Sequence, residues 1–515
     1  DGNSLNWNAN AALYYTRSFN KHNLNLSVAW EASSGSSDAT NVHYRGFPSG
    51  QFHSSNYAAE IYEKPSRTEG TSRMVSAWAT GNYTWNDIYL ADFSVRFDGS
   101  SDFGSKQRWA PFFSGGLGVN IHNYEFLKGN EMVNKLKVRA SYGRTGKASF
   151  PAYAATTMYE ALFDEWYATG FGAVLKALGN NNLTWEKTDK FNVGIEMQFL
   201  NRRLTVDADY YHDKTIDLVN DVSLSQTSGF SSYKDNMGEV LNQGFELQVR
   251  GEVFRNRDWL VALWGNMAHN KNKILKISDS QRAYNQRVKE FYENIVNEEY
   301  GRYNSKYGVP ISQYEEGQSL TSIWAVKSLG IDPTTGKEIF LNRDGSVSDT
   351  WNATQEVAVG NTEPKFNGSI GFNAAYKQWS LFAAFQYEWG GQEYNQTLVD
   401  RVENARIQYQ NVDLRVLTDR WKQPGDIAQF KDIKNADSAT MPTSRFVQDK
   451  AYLRLSALTL SYDFNREWIK KYLGMNMLRL EASTRDFINW NSIRQERGLS
   501  YPKSWTVDFS IKAQF

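Results

Sequence analysis

Six histidines, His22, His43, His53, His122, His212 and His269, come first among residues able to do chemistry, because imidazole serves both as metal ligand and as general base. None stands in an HExxH or other close ligand pair, so spacing argues against a metal site, although His43 and His53 share one segment and could meet. The chain has no Cys, which removes thiolate zinc sites, thiol nucleophiles and disulfide frameworks together. It contains no Gly-x-Ser-x-Gly elbow and no phosphate-binding glycine loop. Acidic residues are numerous enough for a glycosidase-like carboxylate pair. A wall of alternating strands would need such acids on its wet face in any case, so the reading is no enzyme, no metal and no cofactor.

Aromatic side chains are the remaining candidates for ligand contact. Trp166, Tyr167, Phe171, Tyr284, Tyr292, Trp351, Tyr394 and Trp421 fall in long segments between strand-like stretches. Their rings could stack on sugars or grip peptides. They could equally pack loop against loop or loop against a partner, since aromatic rings dominate packing energetics generally.

The elements that must position these residues follow from composition and period. A chain of 515 residues would ordinarily divide into roughly three or four domains, yet no division is visible. Hydrophobic residues make up only 41% while aromatics reach 15%, a balance that suits one wet face, one greasy face and aromatic girdles at two interfaces. A secreted all-β protein shares that composition. Lys+Arg and Asp+Glu are both 57, so charge points to no nucleic-acid partner. No run of about 18 apolar residues exists to form a membrane-spanning helix. Asp1 opens without a basic stretch or apolar h-region, so the numbering is expected to begin after an export signal or inside a longer protein.

Period-two alternation is clearest at the C-terminus. Trp505, Val507, Phe509, Ile511, Ala513 and Phe515 occupy one face and are assigned to the membrane, whereas Ser504, Thr506, Asp508, Ser510, Lys512 and Gln514 occupy the other. The same period predicts strands near 5–19, 22–32, 72–85, 88–98, 108–120, 135–146, 184–199, 203–217, 238–254, 258–271, 366–376, 379–389, 447–464, 477–488 and 503–515. Joints around Asn20, Asn86, Arg202, Asn256 and Lys377 are tight, while every other joint is long, as in barrels with short periplasmic turns and long outer loops. Joints 121–134 and 465–476 are expected to be helical. Ser319 to Ile331 looks strand-like but would reverse the alternation, so it is assigned to a hairpin inside the long extracellular loop 272–365; 390–446 is a second such loop. Trp7, Trp85, Trp379, Trp389 and Trp505 are placed at membrane interfaces.

The fold expected is therefore an all-β, transmembrane antiparallel barrel with about 15 strands in this chain. An odd count cannot close a bacterial single-chain barrel. A companion segment is accordingly expected to supply the remaining strands, with Asp1 at the cell surface and residues 1–515 forming the C-terminal part of the wall.

Several stretches resemble the SusC/RagA-like branch of TonB-dependent outer-membrane transporters. Arg96, Asp98-Gly99-Ser100-Ser101 and Phe103-Gly104 are similar to one family corner, Leu136 to Gly146 to a second hallmark, and Asn182-Leu183-Thr184-Trp185-Glu186-Lys187-Thr188 to a third. Asn242 to Glu246, Gly330 to Gly336 and Tyr452 to Leu455 with Leu460-Ser461-Tyr462 complete six matches in family order. Lys147 and Phe113 depart from the family's usual Asn and Pro. The resemblance implies a complete barrel of about 22 strands around a plug, with plug and first strands outside this sequence. It also implies a SusD-like surface lipoprotein as cap, TonB–ExbB–ExbD acting through the N-terminal plug region, and a home in the outer membrane of a Gram-negative bacterium against lipid bilayer and LPS. Active import of large nutrients, glycan or peptide, is the function implied. A passive porin-like channel and a secreted glycan-binding β-protein are the alternatives.

Overall fold

The structure is a computed structural model and describes residues 2–48, 50, 54–103, 107–147, 155–168, 170–180, 182–223, 232–236, 238–297, 308–405, 407, 412–435, 440–493 and 505–515. Fifteen strands form one large antiparallel sheet and pair in chain order. They are β1 (Gly2–Phe19), β2 (His22–Asn41), β3 (Ser66–Trp85), β4 (Tyr89–Ser100), β5 (Trp109–Asn120), β6 (Val133–Lys147), β7 (Glu186–Phe199) and β8 (Leu204–Ile216). The series continues with β9 (Glu239–Arg255), β10 (Trp259–Lys276), β11 (Phe366–Tyr376), β12 (Trp379–Tyr394), β13 (Val447–Asp463), β14 (Met477–Thr484) and β15 (Val507–Gln514). Asn489–Asn491 attaches to β13 off this path. β1 and β15 each have a single strand neighbour among the described residues, and every residue of both is exposed.

The chain falls into two compact units, one of residues 1–119, 140–191 and 214–238, the other of residues 120–139, 192–213 and 239–515. In the first, register puts Leu24, Leu26, Val28 and Trp30 of β2 on one face with Tyr83, Ala79 and Ala77 of β3 and with Phe93, Val95 and Phe97 of β4. Aromatic rows close that face at both ends. At the turn end Phe19, His22, Trp85 and Tyr89 stack in sequence, with centroids 4.9, 6.4 and 5.3 Å apart. At the loop end Phe97 stacks on Trp109 at 5.5 Å. Trp109 lies opposite Gly99, where a Cβ would fall 2.6 Å from the indole, so glycine is what lets that ring lie flat.

The second unit repeats the arrangement. Trp259, Tyr376, Trp379 and Tyr462 cluster at the turn end, and Phe245, His269, Phe366 and Trp389 mark the loop end of the same face. Trp379 and Trp389 are ten positions apart, as are Tyr376 and Phe366. At about 3.4 Å per residue and a tilt of about 40°, that spacing spans about 26 Å, close to the apolar band of about 25 Å that a bilayer imposes.

Several tight turns carry residues that tolerate a left-handed backbone. Asn20, Asn86, Asp87 and Asn201 have φ between 51° and 57°, whereas Leu200, Arg202 and Lys377 take up the same conformation, at 57°, 66° and 51°, without that tolerance. Asn256 uses its side chain instead, accepting from the amides of Asp258 at 2.9 Å and Trp259 at 2.7 Å.

Differences from the sequence reading are local. Joint 121–134 has only a three-residue 3-10 turn, Ile121–Asn123, whereas 465–476 does contain a helix, α2 (Arg466–Leu473). The segment 272–365 holds a helix that period-two patterning did not suggest, α1 (Asp279–Asn297). Residues 319–331 form two short strands outside the wall, Ser322–Ala325 paired with Val357–Asn361 and Lys327–Ile331 paired with Glu338–Leu341. The strand expected over 477–488 stops at Thr484, and residues 494–504, where 503–515 was expected to start, lie outside the described residues.

Candidate functional site

The face of the second unit opposite its apolar face carries the charge. Glu196 of β7 receives Lys135 at 2.6 Å, Arg139 at 3.3 Å and Lys137 at 3.4 Å from β6, and Arg139 also reaches Asp209 of β8 at 2.6 Å. Further along the wall Tyr452 donates to Glu388 at 3.0 Å and Arg454 to Gln386 at 2.6 Å. Asp207, Asp209, Glu246, Gln248, Asn266, Gln386 and Glu388 line a cleft of about 430 Å³. Such a density of ions and amides is costly against hydrocarbon, so this face needs water or a polar filling. Between these ions the same strands place apolar residues, Leu136, Val138 and Ala140 on β6 and Val193, Ile195, Met197 and Phe199 on β7.

Over 272–365 and 390–446 the chain builds a second layer with cores of its own. Tyr292 of α1 is fully buried, meets Trp351 edge-on at 5.4 Å, and donates from its hydroxyl to the Val309 carbonyl at 2.8 Å. Trp351 in turn donates from Nε1 to the Pro442 carbonyl at 3.0 Å. Tyr284 lies 5.7 Å from Tyr314 and packs against the same cluster. Tyr394 meets Phe446 at 6.0 Å beside Leu398, Val399 and Val402. Trp421 donates to the Pro333 carbonyl at 2.8 Å and covers Gly336, whose φ of +71° and approach to the indole both call for glycine.

These positions bear on the two readings of the loop aromatics. Tyr292, Trp351, Tyr284 and Tyr394 hold the loops to one another, and the fully buried Tyr292 offers a ligand no free ring face. Trp421 borders an open cleft of about 500 Å³ with Ile407, Leu414, Leu417 and Ile433. Side chains of Trp166, Tyr167 and Phe171 lie outside the described residues. At the C-terminus Trp505, Val507, Phe509, Ile511 and Phe515 are 67, 55, 81, 73 and 79% exposed, but so are their polar neighbours; register is what distinguishes the faces, pairing Phe509 with Ala482 and Ile511 with Leu480.

The family model for TonB dependent receptor-like, beta-barrel proteins matches residues 1–483. This chain belongs to that family. It is 26% identical over 496 residues to the TonB-dependent receptor P3 of Formosa agariphila, covering 95% of this chain and 48% of that protein. It is 31% identical over 300 residues to the TonB-dependent receptor SusC of Bacteroides thetaiotaomicron, covering 54% of this chain and 29% of SusC. Its fold is similar to a RagAB peptide importer solved in a closed-closed state, with TM-score 0.82 at 23% identity over 100% of this chain and 56% of that one. The chain thus spans about half the length of the relatives it matches. The family is one of outer-membrane receptors and transporters of Gram-negative bacteria, not of enzymes.

Two of the receptor-barrel motifs singled out in the sequence tie neighbouring strands of the wall together. Arg96 donates to both carboxylate oxygens of the buried Asp98, at 2.6 and 2.8 Å, and to Ser76 at 3.0 Å. Trp185 stacks on Phe103 at 4.2 Å, meets Phe112 edge-on, and donates from Nε1 to the Arg108 carbonyl at 3.3 Å. The side-chain oxygen of Asn236 accepts from the Thr184 amide at 2.9 Å, and its Nδ2 donates to the carbonyls of Thr184 at 2.9 Å and Asp217 at 2.8 Å.

Sequence reasoning missed the ions that lock the receptor's loop layer. Arg445 donates to Glu338 at 2.9 Å and to the fully buried Glu403 at 2.7 Å, joining the 272–365 layer to the 390–446 layer. Burial would lower the Arg445 guanidinium's pKa, but Glu403 and Glu338 outweigh it and raise the value. Nearby, burial pushes the Lys431 ammonium down to about 8 against the pull of Glu403. These residues are 65 to 107 positions apart along the chain from Glu338, so no local spacing signals the network.

Proposed function

We propose that this chain is most of the wall of an active importer of large nutrients, glycan or peptide, in an outer membrane. The observation that carries the proposal is the two-faced sheet of a TonB-dependent receptor, with aromatic rows ten residues apart on one side and ion pairs on the other. Val507, Phe509, Ile511 and Phe515 then meet lipid, with Trp505 at its margin, and 272–365 and 390–446 form the extracellular layer. A companion segment, plug included, supplies the remaining strands, TonB–ExbB–ExbD drives opening through it, and a SusD-like surface lipoprotein caps the loop layer. The likeness to RagAB, a peptide importer, supports peptide as one such cargo. The wall performs no covalent chemistry; it supplies rigidity, a polar interior and a loop surface.

Uptake of labelled oligosaccharide and oligopeptide by cells carrying the intact transporter tests the reading. Uptake should stop when the proton-motive force is collapsed, and single-channel recordings should be nearly silent. Steady conductance with uptake indifferent to uncoupling would instead establish a passive channel.

A further inference from the structure

We infer that α2 is a membrane-surface anchor, lying in the headgroup layer of an anionic phospholipid leaflet at the turn end of the wall. The inference rests on the membrane placement proposed above. Its first support is continuity of aromatic contact. Trp379 meets Tyr462 at 4.8 Å on the apolar face of β12 and β13, Tyr462 meets Phe464 at 5.0 Å, Phe464 stacks on Trp468 at 6.1 Å, and Trp468 lies 5.7 Å from Tyr472. The ladder therefore leaves the strand face and runs unbroken along the helix.

Burial sets the orientation of α2. Ile469 is 1% exposed and seats the helix on the protein, whereas Trp468, Tyr472 and Leu473 are 48, 63 and 45% exposed. The helix is well defined at both ends: Asn465 accepts from the amides of Glu467 and Trp468, and Gly474 ends it at φ 65°. A capped helix presenting Trp, Tyr and Leu outward, in register with a lipid-facing row, fits the acyl–headgroup boundary, where amphipathic rings partition.

Charge identifies the lipid. Arg466, Lys470 and Lys471 stand against the lone Glu467 in the helix sequence. Lys471 lies over the Tyr472 ring at 5.2 Å, and Lys377, at the neighbouring turn, lies over Tyr376 at 5.3 Å. None of Lys377, Lys470 and Lys471 forms an ion pair among the described residues. Ammonium groups held beside interfacial rings, and outnumbering the one carboxylate of the helix, match a layer of phosphate headgroups.

The 515 residues contain no Cys, so nitroxide labels can be placed singly within them. Leu473→Cys, Lys470→Cys and, as a control in the apolar band, Ile370→Cys would be labelled in the intact transporter, reconstituted in vesicles of phosphatidylglycerol and phosphatidylethanolamine. Labels at Ile370 and Leu473 should relax faster with oxygen than with a water-soluble nickel chelate, Leu473 at a depth of about 5–10 Å, and Lys470 should show the reverse. Replacing phosphatidylglycerol by phosphatidylcholine should move Leu473 toward water. A Leu473 label freely reached by nickel, or shielded from both reagents by a second copy or a periplasmic protein, overturns the anchor while an oxygen-accessible Ile370 leaves the membrane placement intact. A nickel-accessible Ile370 overturns both. No shift on lipid replacement overturns the choice of an anionic lipid.

Discussion

Glu356 is where the loop layer should answer to pH. Its side chain accepts a hydrogen bond from Gln313 and its backbone carbonyl one from Arg343, and burial raises its carboxyl to about 8. An unfolded carboxyl titrates near about 4.3. Between those values the folded layer keeps a proton that the unfolded chain releases, so this group's stabilisation is full below the ordinary carboxylate range and declines as pH rises through about 8, at roughly 1.4 kcal/mol per pH unit. Protease resistance of residues 272–365 in the intact protein should fall between pH 6 and pH 9, and Glu356→Gln should flatten that profile. Equal slopes in both proteins would remove Glu356 as the cause.

At the same scale the loop aromatics differ in burial. Tyr292→Ala empties a fully buried site and should cost roughly 3–5 kcal/mol of loop-layer stability. Arg445→Met strands Glu338 and Glu403 and should cost a similar amount, roughly 3–5 kcal/mol. Chemical denaturation followed by Trp fluorescence would register both losses. Trp421→Ala should instead affect ligand or cap binding through its open cleft, read by titration of the intact complex.

For the elements, the governing quantity is the medium each strand face meets. Ile370 lies near the middle of the apolar face of β11, and Ser369 beside it points to the wet face. Ile370→Arg should lower folding stability in liposomes by roughly 2–4 kcal/mol, the midplane cost of a cation, while Ser369→Arg should be close to neutral. Equal losses in urea titrations would contradict the assignment of faces. Strand positions were legible because alternation is local: His22, Asn86, Trp379 and Phe366 mark strand ends that pattern and turn residues place closely. The helix α1 carries its own helical period, Tyr284, Val288, Tyr292 and Ile295 recurring every three or four residues, but period-two alternation is blind to it, and the Ala353 on which Val288 and Tyr292 pack comes from a segment about sixty positions on.

At the scale of the whole molecule, β1 and β15 each pair with a single strand among the described residues. All residues of β1 and β15 are exposed, including Leu13, Tyr14, Phe509 and Ile511, and unpaired strand edges are templates for further pairing. Expressed alone, residues 1–515 should aggregate in detergent and elute as mixed species. Co-expression with the companion segment should give a monodisperse particle, checked by light scattering. A monodisperse, folded chain without that segment would show that no further strands are needed.

By itself the sequence determined the two-residue period, the turn positions and the family motifs, because side-chain direction in a strand depends only on residue parity and the local turn. It left open what the loop aromatics do. Only the tertiary structure decided what Tyr292, Trp351 and Tyr394 pack against, that Glu338, Glu403 and Arg445 meet, and that the aromatic row of β12 continues onto α2. Those facts depend on which distant segments share a volume, and burial there is set by contacts across dozens of residues that no short window contains.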